Sequence, residues 1–245
     1  MSVLLLDIGN SRCKWGMWQD GAIAQTGTLA NEMVADPARW RFARDVTAVF
    51  ASNVASADTA MSIDTALREA TGLTLSLAKV SHEDAGVRCA YQDTTRLGVD
   101  RWMAVLCMSR RANAPALVVD AGTAMTIDAV DKGTQHLGGL ILPGLKLMQR
   151  SLTQSTAGIR VDTAQPPRAA FGTTTSDAVR NGALIAAMGA VRQAASVLGY
   201  QDLSDCPLLI TGGDGAPLAD ALALQDRFEP TVVLQGLAIY AGLAT

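Results

Sequence analysis

Two short words in the chain are near copies of one another, LLLDIGNS from Leu4 to Ser11 and LVVDAGTA from Leu117 to Ala124. Each sets three aliphatic residues before an aspartate, a spacer, a glycine and a small residue, and the aspartates, Asp7 and Asp120, stand 113 positions apart (120 − 7). An aliphatic run closing on Asp-x-Gly reads as a buried strand entering a tight turn. A returning strand follows each time, Arg12 to Trp18 after the Gly9-Asn10 turn and Met125 to Val130 after the second; third strands follow at Gly21 to Leu29 and His136 to Leu142. A chain that repeats its opening device in this way is constrained to two like halves. Val46 to Ser52 reads as a further strand and Ala57 to Ala70 as a helix stopped by Gly72. In the second half Ser176 to Leu198 reads as a long helix and Pro207 to Thr211 as a strand, with Gly212, Gly213 and Gly215 forming a third glycine turn. The expected class is α/β: two duplicated halves, 1–113 and 114–245, with mixed sheets flanked by helices. No Pro- or Ser-rich linker separates them, so they are expected to pack around a shared cleft near residue 113.

Composition narrows the function. Hydrophobic residues make up 49% and charged residues 18% of 245, the balance of a chain that buries a core. A net charge of −3 and 4% aromatic residues give neither the positive field nor the stacking platform that nucleic acid requires. Cys13, Cys89, Cys107 and Cys206 form no CxxC pair and only two histidines accompany them, a pattern of buried free thiols in a reducing cytoplasm and not of zinc. The start MSVLLLDIGN has no cationic region of an export signal, and the apolar stretch from Ala183 to Val191 is too short for a bilayer. Neither a membrane nor a nucleic-acid partner is expected.

No GxxxxGK[ST] word occurs, so phosphates need another cradle. The two glycine turns can supply one, because glycine lets backbone N–H groups approach phosphate oxygens and Ser11 and Thr123 add hydroxyls. Asp7 and Asp120 then place carboxylates where Mg²⁺ or another cation bridges phosphate oxygens, with Lys14 reaching the same phosphates. The words alone fit equally a plain turn in which each aspartate bonds its own backbone. Gly98-Val99-Asp100-Arg101 opens an amphipathic helix with Trp102, Val105, Leu106 and Ser109 to one side. Asp100 there is either a helix cap or the carboxylate that accepts a substrate hydroxyl proton in phosphoryl transfer, a reaction that needs alignment more than early deprotonation. Arg101 is a planar fork for a carboxylate or phosphate, or a surface ion pair; Tyr91 lines a pocket or packs. Gly172 to Asp177 reads as a helix cap with surplus hydroxyls, and His82 and His136 as isolated structural residues.

Taken in order, DIGNSRCKWG (Asp7 to Gly16), GVDR (Gly98 to Arg101), DAGTAMTID (Asp120 to Asp128), GGLILPGLKLM (Gly138 to Met148) and GTTTSDAVRNG (Gly172 to Gly182) resemble the type III pantothenate kinases over most of the chain. The resemblance implies the acetate kinase, sugar kinase, Hsp70 and actin fold, two ribonuclease H-like halves clasping a nucleotide. It implies that ATP and pantothenate give ADP and 4'-phosphopantothenate, the first step toward coenzyme A, with Asp100 as base. ATP, carried with Mg²⁺, would lie on Asp7, Ile8, Gly9, Asn10, Ser11, Arg12, Cys13, Lys14 and Thr123, with Asp7 a candidate for the Mg²⁺. A monovalent cation, K⁺ or NH₄⁺, would lie on Asp120, and pantothenate on Tyr91, Gly98, Val99, Asp100, Arg101 and Thr175. It also implies a homodimer with the substrate site near the subunit interface. Three departures stand out: Ser11 replaces the usual Thr, the stretch STAGIRVDTAQPP lacks the usual Leu-Pro, and Thr173 and Thr174 occupy positions that are often basic and Asn-like. A kinase of the same superfamily acting on another acceptor, and a nucleotide-sensing regulator of transcription, are the competing readings; the acidic charge weighs against direct DNA contact.

Overall fold

The aliphatic run at the start forms β1 (Ser2–Ile8), whose buried side chains on both faces make it a central strand. It pairs antiparallel with β2 (Arg12–Gln19), which pairs antiparallel with β3 (Ala22–Ala30). On its other side β1 runs parallel to β4 (Ala48–Asn53); α1 (Ala57–Thr71) then leads to β5 (Leu75–Leu77), giving the order β3-β2-β1-β4-β5. The Ser56 side chain caps α1 by accepting from Thr59 N, and Gly72, at φ +77°, closes it. Leu4, Leu6 and Ile8 pack with Val49, Ala51, Ile63, Leu67 and Trp40 on the α1 side. By strand alternation Val3, Leu5 and Asp7 present to the opposite face. A small hairpin, β6 (Glu83–Asp84) and β7 (Val87–Arg88), turns through Ala85 and Gly86 at positive φ and precedes α2 (Val99–Ser109). The structure, a computed structural model, describes residues 2–155, 162 and 165–244, so most of the stretch that departs between Ser155 and Pro167 lies outside the described residues.

The second unit repeats this plan. β8 (Ala116–Ala121), β9 (Ala124–Val130) and β10 (His136–Pro143) form the antiparallel meander, followed by α3 (Leu145–Ser155) and α4 (Thr175–Val197). β11 (Leu208–Thr211), running parallel to β8, and α5 (Gly215–Leu222) complete it in the order β10-β9-β8-β11. Leu117, Val119 and Ala121 face a core with Leu184, Ala187 and Val191 of α4 and Leu218 of α5. Where β5 flanks β4 in the first sheet, a single parallel bridge from Ile210 to Phe228 flanks β11. The α/β class expected from the repeated words, two like halves with mixed sheets flanked by helices, is therefore the fold observed. The copies differ in one detail. Three residues, Gly9 to Ser11, join β1 to β2, but two, Gly122 and Thr123, join β8 to β9. Beyond the turn the 113-residue offset slips by one, and Asp7 faces Lys14 while Asp120 faces Thr126.

The chain divides as Met1–Arg110 with Thr231–Thr245, and Arg111–Pro230, so the expected second half of 114–245 loses its last segment to the first unit. The reason is α6 (Val232–Tyr240), an apolar helix that packs on α2, β1 and β4. A Cβ on Gly236 would overlap the backbone of Met103, so glycine lets the two helices close to backbone contact. Leu234 fills the space above Gly16 on β2. Covered by α6, α2 is buried from Arg101 through Ser109 on every side, not on one stripe as its pattern suggested. Among the described residues no helix is long and apolar enough to cross a membrane. Gly236→Ala is expected to destabilise by about 1–3 kcal/mol, the usual cost of overpacking. Thermal unfolding followed by circular dichroism checks this, and an unchanged midpoint would show that the helices have room to spare.

Candidate active site

In the first unit Asp7 ends β1 half-buried, with Lys14 beside it on β2 and Ser52 beside it on β4. Residues in register across neighbouring strands share a sheet face, so these three form a row. Asn10, Ser11 and Arg12 are exposed at the turn, whose Gly9 amide donates to Arg12 O at 3.0 Å and whose Gly9 carbonyl accepts from Asn31 Nδ2 at 3.0 Å. Ile8 and Cys13 turn their side chains into the α1-side core. Burial, and then the charge of Asp7, push the Cys13 thiol up to about 12, so it stays neutral and inert as a nucleophile.

The α2 N-terminus is built differently from a capped helix. Its N-cap is Gly98 and no side chain caps it. Asp100 is half-buried in the first turn, and its Oδ1 accepts from Arg101 N at 2.7 Å. A Cβ on Gly98 would stand 2.6 Å from that oxygen, so the carboxylate occupies the space a side chain would fill. Arg101 is 7% exposed and is no surface ion pair. One of its terminal nitrogens donates to Tyr91 Oη at 3.1 Å, and its guanidinium carbon lies 5.8 Å from the Tyr91 ring centroid. Trp102 Nε1 donates to Asp84 Oδ2 at 2.7 Å, which also accepts from Ser81 N, so the β6–β7 hairpin anchors this turn.

In the second unit three loops converge on Asp120. Gly144 N donates to Thr123 O at 3.0 Å, and a Cβ there would overlap the Gly122 and Thr123 carbonyls. Gly212, at φ +96°, lies so close that a Cβ would strike Asp120 Oδ1. Asp214 N donates to Ala121 O at 2.9 Å, and Lys146 Nζ lies 3.4 Å from Asp214 Oδ1. The glycines were legible as points of close approach, but what approached them was not, and Lys146 and Asp214 carried no signal. Thr123 is exposed at the turn. On the same face, His136 Nε2 lies 3.0 Å from Asp128 Oδ1 and both side chains are buried, so the histidine read as isolated has a partner on the adjacent strand. Among the described residues no three His, Cys, Asp or Glu side chains gather to hold a metal ion. Single carboxylates at Asp7 and Asp120, each in register with a buried hydroxyl that has no hydrogen-bond partner, Ser52 and Thr211, suit a hard cation whose other ligands are hydroxyl, carbonyl and phosphate oxygens.

Thr175 is the exposed first residue of α4. Thr174 caps that helix, its Oγ1 accepting from Asp177 N at 3.1 Å and donating to Asp177 Oδ2 at 2.8 Å. That hydroxyl, and then Arg180, hold the Asp177 carboxyl below the usual range. All three threonines are exposed to solvent, and Thr174 alone of them is committed to capping α4.

The family model for the type III pantothenate kinase matches residues 3–196. The chain is 35% identical to the type III pantothenate kinase of Azoarcus sp. (strain BH72), over 98% of this chain and 90% of the relative. It is 38% identical to that of Thiobacillus denitrificans, over 96% and 94%. Among solved structures it is similar to a Baf family transcriptional activator from Campylobacter jejuni, with a TM-score of 0.63 at 23% identity over 98% and 97% of the two chains. It is also similar to the activator of the 2-hydroxyisocaproyl-CoA dehydratase from Clostridium difficile, solved with ADPNP, with a TM-score of 0.54 at 13% identity over 98% and 94%. At these identities the likeness to solved structures is one of fold. Gly98→Ala is expected to displace the Asp100 carboxylate and to lower turnover in the reaction the curated relatives are named for by about 10²-fold, the cost of misplacing a reacting group by about 1 Å. Steady-state kinetics beside a thermal melt check this; full turnover would mean the carboxylate need not lie over Gly98.

Proposed function

The chain belongs to the type III pantothenate kinase family and phosphorylates pantothenate with ATP in coenzyme A biosynthesis, and we propose that Asp100 orients the hydroxyl that receives the phosphate. The Asp100 carboxylate accepts the proton as the hydroxyl oxygen bonds to the γ-phosphorus, while the bond from that phosphorus to the bridging oxygen breaks and ADP leaves with the electron pair. Gly98, Val99, Arg101, Tyr91 and Thr175 receive pantothenate, with the Arg101 fork matched to a carboxylate and stiffened by its bond to Tyr91. Asp7 to Lys14 hold the ATP phosphates through the Gly9–Ser11 turn, Lys14 offsets their charge, and Thr123 adds a hydroxyl. Asp7 would hold Mg²⁺ and Asp120 a monovalent cation, K⁺ or NH₄⁺, and these ions would supply positive charge at the phosphates. The observation that supports this reading most is the α2 N-terminus, where a carboxylate lies over a glycine and is followed by a buried arginine bonded to a tyrosine.

Asp100→Asn is expected to cut ADP release with pantothenate by about 10²–10⁴-fold, the range for a positioned acid or base, with the unfolding midpoint unchanged. Undiminished release would remove Asp100 from the mechanism. In the same assay Asp120→Asn should weaken activation by K⁺, and an unaltered K⁺ titration would remove the cation from that residue.

The protein further acts as a homodimer in the cytoplasm, where its four free cysteines fit a reducing medium. Support for the dimer comes from the edge strand β10, where Leu140 and Ile141 are 51% and 65% exposed, and from α3, where Leu147 and Leu152 are also exposed. An apolar edge strand of this kind calls for a cover. Light scattering is expected to give about twice the 25.6 kDa chain mass, falling to one chain mass for Ile141→Lys; a monomeric wild type would refute the dimer.

A further inference from the structure

Among the described residues two buried hydroxyls lack a hydrogen-bond partner, and each stands beside an aspartate of the proposed site. Ser52 is 0% and Thr211 is 1% exposed, and neither Ser52 Oγ nor Thr211 Oγ1 is bonded to another protein atom. Ser52 is in register with Asp7 across the parallel pair β1–β4, and Thr211 with Asp120 across the parallel pair β8–β11. In each sheet the hydroxyl and the carboxylate therefore share a face and are neighbours in the hydrogen-bonding direction. A buried hydroxyl without a partner costs stability, and alanine or valine would fill the same space at no such cost. One instance could be an accident of packing. Two, at equivalent places in units of the same strand order, call for a use that both units share, and the shared neighbour is the aspartate.

We propose that Ser52 and Thr211 are positioning residues, one in each unit, whose hydroxyls donate to Asp7 and Asp120, directly or through one buried water, when those carboxylates take their cations. The hydroxyl then fixes the carboxylate so that one oxygen is held by protein and the other is left for the ion. This rests on the reading of Asp7 and Asp120 as cation ligands. Without ligand the hydroxyls contribute nothing to stability, and with ligand they sharpen the site.

The test compares Ser52→Ala, Thr211→Val and Thr211→Ser with Asp7→Asn, Asp120→Asn and wild type, measuring the ligand-free unfolding midpoint, kcat, and the half-saturating K⁺ and Mg²⁺. Ser52→Ala and Thr211→Val are expected to unfold at or above the wild-type midpoint. Thr211→Val should need about tenfold more K⁺, and Ser52→Ala about tenfold more Mg²⁺, the scale of one hydrogen bond to a charged group. Thr211→Ser, which keeps the hydroxyl, should restore the K⁺ requirement. If the asparagine variants lose cation dependence while Ser52→Ala and Thr211→Val titrate like wild type, the positioning role is wrong and the ligand reading survives. If the asparagine variants also titrate like wild type, both fall. Activity lost only in step with a lowered midpoint would likewise overturn the proposal, since a structural role accounts for it.

Discussion

Backbone contact between α2 and α6 at Gly236 is the constraint on which the packing of the first unit depends. It closes α2 in from the side that the sheet leaves open, so that every side chain from Arg101 to Ser109 is buried. The half-buried Asp100 carboxylate stands at the start of this enclosed helix. The hairpin that binds Trp102 through Asp84, and the Tyr91 that binds Arg101, fix the same turn from outside the helix. Preorganisation of this sort is what the role proposed for Asp100 calls for, since a fixed group spares the reorientation that water would otherwise undergo around a reacting alcohol.

Much of the scaffold could be read from local pattern. The aliphatic runs before Asp7 and Asp120 determine β1 and β8, because only a central strand buries both of its faces, and Gly72 marks the end of α1. What escaped reading came from contacts distant in sequence. Nothing near Val232 to Tyr240 says that this helix crosses back to cover one 130 residues earlier, and α2 accordingly looked amphipathic. The one-residue difference between the two turns was hidden for a related reason. The words align without a gap through the turn, and only strand pairing shows that Asp120 faces Thr126 where Asp7 faces Lys14.

The candidate site divides in the same manner. Residues proposed for chemistry on residue type and spacing, Asp7, Asp100, Arg101 and Asp120, stand out as words. Residues whose role depends on what lies across a strand or loop were not: Gly212 against the Asp120 carboxylate, Asp128 against His136, and Ser52 beside Asp7. Such residues look ordinary in one dimension, since a serine in a strand or a glycine after one has many uses.

The unequal partners of the two aspartates carry a last consequence. Lys14 gives the first row a mobile cation next to its carboxylate, while Thr126 gives the second row a neutral neighbour at the corresponding point. Two copies of one architectural motif thereby differ in the charge that stands across the strand from the carboxylate, an ammonium in the first and a neutral hydroxyl in the second. Symmetry of backbone thus coexists with asymmetry of charge, set by a single position in each copy.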